Sequence, residues 1–248
     1  PDRWSQEQIQ EEHDFLLELA SNEVSVVAPI RVEGTTQFKA GKFMVALFKR
    51  RGGRTPLIES ESSREILGRT LSQIHNVGAE KPFAYRPSIN VDDYGKSPRR
   101  WLLEAKFIPV NLEKQYEKVS NILISRVEAK FSKHEFKNIR IHADCHLGNI
   151  LWREQRPHFV DFDDSRNGPA VQDLWMFLSG NLSEKSRQMT NIVSGYTDFR
   201  DFNLGEVTLI ESLRALRIMR HSAWIGRRWG DPAFPRAFPF FNTEKYWV

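Results

Sequence analysis

Residues 139–173, IRIHADCHLGNILWREQRPHFVDFDDSRNGPAVQD, constrain this chain more than any other stretch. A β-rich run at 139–141 delivers His142 and Asp144, and Asn149 follows five residues after that aspartate. A second apolar run at 158–160 delivers Asp161, with Asp163 and Asp164 close behind. Strand ends that present carboxylates and an amide across a short hairpin offer hard oxygen ligands of the kind Mg²⁺ takes, with a base beside them. That combination is what phosphoryl transfer requires. Asp173 opens the run DLWMFL, where a buried acid is awkward unless it accepts backbone N–H bonds, as a helix N-terminal cap does.

HADCHLGN resembles the catalytic loop of the kinase-like phosphotransferases (aminoglycoside and choline phosphotransferases and their relatives), usually H-G-D-x-x-x-x-N, and VDFDD resembles their magnesium-binding strand end. GNILWR, VDFDDSRNGPAVQDLWM and, near the end, RRWGDPAFPRAFP are similar to the bacterial stress response kinase A family. The resemblance implies Asp144 as the general base, Asn149 and Asp161 as Mg²⁺ ligands, Asp163 as an additional metal or water ligand, and His142 and Asp173 as structural support. It also implies ATP as phosphoryl donor. One departure stands out: Ala143 occupies a position where the family usually has Gly, which costs energy if the backbone there has φ > 0.

With 40% apolar residues the chain can bury a real core. Neither a secretory leader nor an apolar run long enough to cross a bilayer is present in these residues, so the expected compartment is the cytoplasm. The single cysteine, Cys145, excludes an internal disulfide framework and a cysteine-based zinc site. Its place between Asp144 and His146 suggests a Cys-His nucleophile only weakly, because sequence neighbours seldom face each other productively. The formal charge of +4 is mild. Arginines 214, 217, 220, 227 and 228 read first as a solvated helix face.

Along the chain, Ser5 and Gln8 form a capping-box signal, and residues 6–20 have helical periodicity. Ile9, Phe15, Leu16 and Leu19 share one face with Glu12 in its middle, so that acid needs a partner. By resemblance Glu12 is the helix glutamate that pairs with the phosphate-binding lysine of an earlier strand; the chain opens at this helix, and no residue is offered for the lysine. Residues 24–32 and 42–48 are shaped like the two strands of a hairpin, with Pro29 at an edge. By resemblance the second leads into a hinge where the backbone of Ala46, Leu47 and Phe48 meets the adenine edge.

Residues 62–77 predict a second helix with Gly78 as its C-cap and His75 as a packing histidine. Residues 81–100 read as a surface loop. Residues 112–131 predict a helix whose core stripe is Leu112, Tyr116, Val119, Leu123 and Val127. Residues 204–229 read as helices, and the Pro- and Phe-rich tail after them as a non-helical clamp that seals a core.

The expectation is thus an α+β, two-lobed protein-kinase-like (aminoglycoside phosphotransferase-like) fold. The small lobe, residues 1–54, is incomplete, and a mainly helical lobe spans 55–248. The expected function is an ATP- and Mg²⁺-dependent Ser/Thr protein kinase of the bacterial stress response, acting as a monomer on a protein that can be itself, with no nucleic-acid or membrane partner. Two alternatives stand beside it: a small-molecule kinase of the aminoglycoside, choline or homoserine type, and a kinase-shaped nucleotide-binding protein without turnover, to which Ala143 and the missing lysine point.

Overall fold

In a computed structural model the structure describes residues 3–56, 58–154 and 156–248. They group into two compact units, residues 1–88 with 136–204, and residues 89–135 with 205–248.

The first unit opens with helix α1 (Gln6–Ser21), which Ser5 caps by accepting from the Gln8 N–H while Gln8 returns the bond, so the predicted capping box is formed. Phe15, Leu16 and Leu19 are buried along its inner face, together with His13. The hairpin differs from expectation. Strands β1 (Phe38–Ala40) and β2 (Phe43–Val45) pair through a two-residue turn in which Gly41 has φ +61°, a value only glycine adopts cheaply. Residues 24–32 supply isolated bridges instead, from Val26 to Phe159 and from Pro29 to Phe48. Proline has no N–H to continue a ladder, which is why that run stays a connector.

Helix α2 (Glu61–Gly78) starts at Ser60, and Ala79, not Gly78, is its C-cap. Gly78 answers to packing: a Cβ there would lie 2.1 Å from the Arg140 carbonyl oxygen. Strand β3 (Ile139–Ile141) therefore runs hard against the end of α2, with Arg140 buried, its guanidinium on the Val77 carbonyl at 2.7 Å and over the Phe15 ring. Strands β4 (Ile150–Arg153) and β5 (Arg156–Phe159) form the hairpin expected of the central motif, and β6 (Arg166–Gly168) returns to pair antiparallel with β3. Helix α5 (Leu182–Tyr196) packs on α2 so closely that a Cβ on Gly68 or Gly195 would meet a backbone carbonyl oxygen at 2.0 Å.

The second unit corrects three expectations. Part of 81–100 is helical: a wide turn (Asp92–Lys96) runs into α3 (Ser97–Glu104), and Tyr94 and Leu102 are buried. Helix α4 (Val110–Phe131) is present, but its stripe is rotated; Ser120, Ile124 and Val127 are buried while Val119 is 47% exposed. Ser120 is tolerated inside because its hydroxyl bonds the Tyr116 carbonyl and receives Arg99. Helix α6 (Ile210–Arg227) and the short turns α7 (Ala233–Ala237) and α8 (Glu244–Trp247) complete the unit. The tail, with two short helical turns where none was expected, closes an aromatic core in which fully buried Phe241 meets Phe107, Trp229, Tyr246 and Trp247. No helix among the described residues is long and apolar enough to cross a membrane.

Candidate active site

All the residues of the central motif lie in the first unit. Asp173 is fully buried and its carboxylate is the hub of the loop that β3 feeds. Oδ2 accepts from the His142 N–H at 2.8 Å and Oδ1 from the Ala143 N–H at 2.7 Å. His75, on α2, reaches Oδ2 at 3.0 Å through Nε2, and its Nδ1 lies 2.9 Å from the Tyr196 hydroxyl. Asp173 thus holds the backbone of 142–143, and His75 is a satisfied core histidine that also ties this carboxylate to α2 and α5. The fixed loop carries strain: Ala143 has φ +68°, in the left-handed region.

His142 joins the two strand ends. Its Nε2 donates to the Val160 carbonyl at 2.9 Å while Nδ1 faces the Asp144 N–H at 3.3 Å. The Val160 N–H donates to the Asn149 carbonyl at 3.0 Å, so Asp144, Asn149 and Asp161 are drawn to one place. Asn149 is buried and its Nδ2 donates to the Asp144 carbonyl at 3.0 Å, which leaves Oδ1 as the acceptor end of that amide. Asp161 leaves β5 with φ +63° and ψ +61°. Burial raises its carboxyl above the usual carboxylate range, and repulsion from Asp163 adds to this, as it does from Asp144 and Asp164. A cation beside Asp161 would relieve that repulsion. Among the described residues no three His, Cys, Asp or Glu side chains converge on one point. Mg²⁺ does not need such a cage, since it keeps waters and draws oxygens from phosphate, so one carboxylate and one amide oxygen fit it.

Cys145 is buried, and its thiol is pushed well up by that burial, with the carboxylates of Asp173 and Asp144 adding to the effect. It is a packing residue and not a nucleophile.

A cavity of about 370 Å³ adjoins these groups, with apolar walls including Val27, Phe48, Leu151 and Phe162 and with Glu12, Asp161, Asp163, Lys49 and Arg51 bordering it. Of the three hinge residues Phe48 lines it; Ala46 and Leu47 are not among its lining residues, and the Leu47 carbonyl accepts from the Ile30 N–H at 2.7 Å. Lys49 and Arg51 join the lining without having been singled out in the sequence. Glu12 does border the cavity, with only 12% of its side chain exposed, so it does not sit in water. Burial pushes its carboxyl up to about 7, against the attraction of Arg86.

Arg86 is the residue that sequence reasoning missed. It lies in the segment read as a surface loop, yet its side chain is fully buried. Nη2 donates to Glu12 Oε2 at 2.5 Å, Nε to the Gln8 carbonyl at 2.7 Å, and Nη1 to the carbonyls of Asp163 and Ser165 at 2.9 and 2.8 Å. The segment is itself held to α1, because Glu11 accepts from the backbone N–H groups of Ala84, Tyr85 and Arg86. The available signal was an acid stranded on an apolar stripe, which demanded a cation somewhere in the chain. Asp163 is engaged as well, accepting from Arg3 and from Trp4 Nε1, and Asp164 accepts from Arg3 and Arg166.

A model of the family described as "Phosphotransferase enzyme family" matches residues 1–205. The chain is 43% identical to stress response kinase A of Escherichia coli (strain K12) over 248 residues, all of this chain and 75% of that protein. It is 42% identical over 247 residues to a Salmonella typhimurium protein named serine/threonine protein kinase RdoA, again covering 75% of the relative. Among solved structures, an amicoumacin kinase bound to AMP-PNP and Ca²⁺ superposes with a TM-score of 0.73 at 17% identity, over 98% of this chain and 78% of the other. An aminopropanol kinase gives 0.70 at 20% identity, over 99% and 81%. The fold is the α+β kinase-like fold of the aminoglycoside phosphotransferases. The chain belongs to the phosphotransferase enzyme family and, within it, to the stress response kinase A proteins.

Proposed function

We propose that this chain is the catalytic part of a cytoplasmic, monomeric ATP- and Mg²⁺-dependent kinase whose acceptor is a Ser or Thr hydroxyl on a protein, with a small lobe over residues 1–54 and a larger one from 55. The observation that carries the reading is the lock between the strand ends: His142 on Val160, Val160 on Asn149 and Asn149 on Asp144, with Val160 and Asp161 bordering one cavity. Asp144 accepts the proton of the acceptor hydroxyl, in a loop whose backbone Asp173 holds. Asn149 Oδ1 and the Asp161 carboxylate hold Mg²⁺, which when bound neutralises charge on the phosphate oxygens. Glu12 and the hinge around Phe48 border the nucleotide. A protein acceptor is favoured over a small molecule by the relative at 42% identity named a serine/threonine protein kinase. The kinases of antibiotics and amines share only 17–20% identity and speak to the fold.

Two variants and an acceptor panel test this. Asp144→Asn is expected to lower transfer by about 10²–10⁴-fold with nucleotide affinity nearly intact, because the base is not a metal ligand. Asp161→Asn is expected to weaken Mg²⁺-dependent nucleotide binding itself. The opposite pairing of defects would reverse the assignments. Labelled ATP offered with protein substrates and, separately, aminoglycosides, choline, homoserine and sugars should label protein. Saturable transfer to one small molecule alone would overturn the protein acceptor, and nucleotide binding with no transfer to anything would mark a binding protein.

A further inference from the structure

Arg86, paired with Glu12, donates four hydrogen bonds beside the site, and nothing in the proposed chemistry uses it. We propose that Arg86 is a positioning residue for phosphoryl transfer: its guanidinium joins Glu12 of α1 to the backbone that follows Asp161, so that the placement of the Asp161 carboxylate depends on α1. The inference rests on the reading of Asp161 as the metal-binding acid.

The argument is one of geometry and valence. A guanidinium has five N–H donors in a rigid plane and no acceptor, so a buried one is stable only where several oxygens converge. Arg86 meets four: Glu12 Oε2, the Gln8 carbonyl, and the carbonyls of Asp163 and Ser165. Two belong to α1 and two to the turn that begins at Asp161. That turn needs outside support, because Asp161 is in the left-handed region, where a non-glycine residue is strained. The Trp4 ring lies under the guanidinium at 4.6 Å and gives its Nε1–H to Asp163, so the clasp closes from the other side. The Asp163 carboxylate is taken up by Arg3 and Trp4, and that of Asp164 by Arg3 and Arg166. Asp161 borders the cavity, as Asp163 does, and Arg86 holds the backbone of the turn that follows Asp161.

Arg86→Met and Arg86→Lys test the proposal, with Glu12→Gln and the double variant Arg86→Met/Glu12→Gln completing a cycle. Mn²⁺ binding in the presence of ATP, read by electron paramagnetic resonance, reports the metal site without turnover. Single-turnover rates are read at a temperature where calorimetry shows the variant folded. The expectation for Arg86→Met is Mn²⁺ affinity lowered about tenfold and transfer slowed about 10–100-fold. Glu12→Gln is expected to slow transfer less, and the double variant no more than Arg86→Met alone, because Glu12 acts through the same guanidinium. Lysine keeps the charge but lacks the fork, so Arg86→Lys should fall between wild type and Arg86→Met. A lower melting temperature with wild-type Mn²⁺ affinity and rate would make Arg86 merely structural. If Arg86→Met does not fold, the same result in Arg86→Lys overturns the proposal. Amide exchange at residues 161–165 keeps the two readings apart. If wild type neither binds Mn²⁺ nor transfers phosphate, the assigned chemistry fails, and the clasp then stands or falls on whether exchange there quickens in Arg86→Lys.

Discussion

At Ala143 the chain holds a backbone conformation that an L side chain resists, with φ +68°, because the Ala143 N–H and that of His142 are committed to Asp173. A left-handed residue costs about 1–2 kcal/mol. Glycine would remove that strain while loosening the unfolded chain by roughly 0.4–1 kcal/mol. Ala143→Gly is therefore expected to stabilise by about 0.5–1 kcal/mol, raising the melting temperature by ~1–4 °C, with transfer retained. A fall in melting temperature would show that the loop does not hold this conformation. The departure from the family's usual glycine was legible in the sequence; its cost became definite only when the φ angle was known. The reverse holds for Arg86, whose identity is plain in the sequence and whose four acceptors come from residues 8, 12, 163 and 165. No local pattern joins those positions.

Among the elements, α1 was legible from its cap and periodicity, since both are properties of residues three or four apart. The pairing of β1 with β2 was less so, because residues 24–32 have the composition of a strand but Pro29 and the nearness of β5 and Phe48 make them a connector. The glycines of α2 and α5 carry a tertiary meaning that periodicity cannot show. At Gly195 a Cβ would sit 2.0 Å from the Glu65 carbonyl oxygen and 2.6 Å from its carbon, and backbone cannot give way as a side chain tip can. Gly195→Ala should force α2 and α5 apart and destabilise by about 3 kcal/mol, a fall in melting temperature of roughly 6–12 °C. It should also disturb the contact of Tyr196 with His75. An unchanged melting temperature would deny the close approach.

For the whole molecule, Glu12 makes stability depend on pH in a definite direction. Its carboxyl is raised from the ordinary 4.5 to about 7 by burial, with Asp163 and Asp161 adding and Arg86 opposing. Between these values the folded state binds more protons than the unfolded one, so the contribution is full below about 4.5 and is lost as pH rises through about 7. Its size is on the order of 3 kcal/mol. Melting temperature should fall by roughly several degrees between pH 5 and pH 8, and this fall should be smaller in Glu12→Gln; equal falls in both would remove Glu12 as the source. By itself the sequence determined where Asp144, Asn149, Asp161 and Asp173 stand, at spacings that local strands and turns can read, and these are the residue types on which the proposal of hard oxygen ligands and a base rests. Only the tertiary structure decided what holds them, because the partners of Asp173 include His75, 98 positions away, and Glu12 meets Arg86 74 positions away. Hydrogen-bond valence requires that such buried groups be satisfied, but it is the packing of distant elements that selects the atoms that satisfy them.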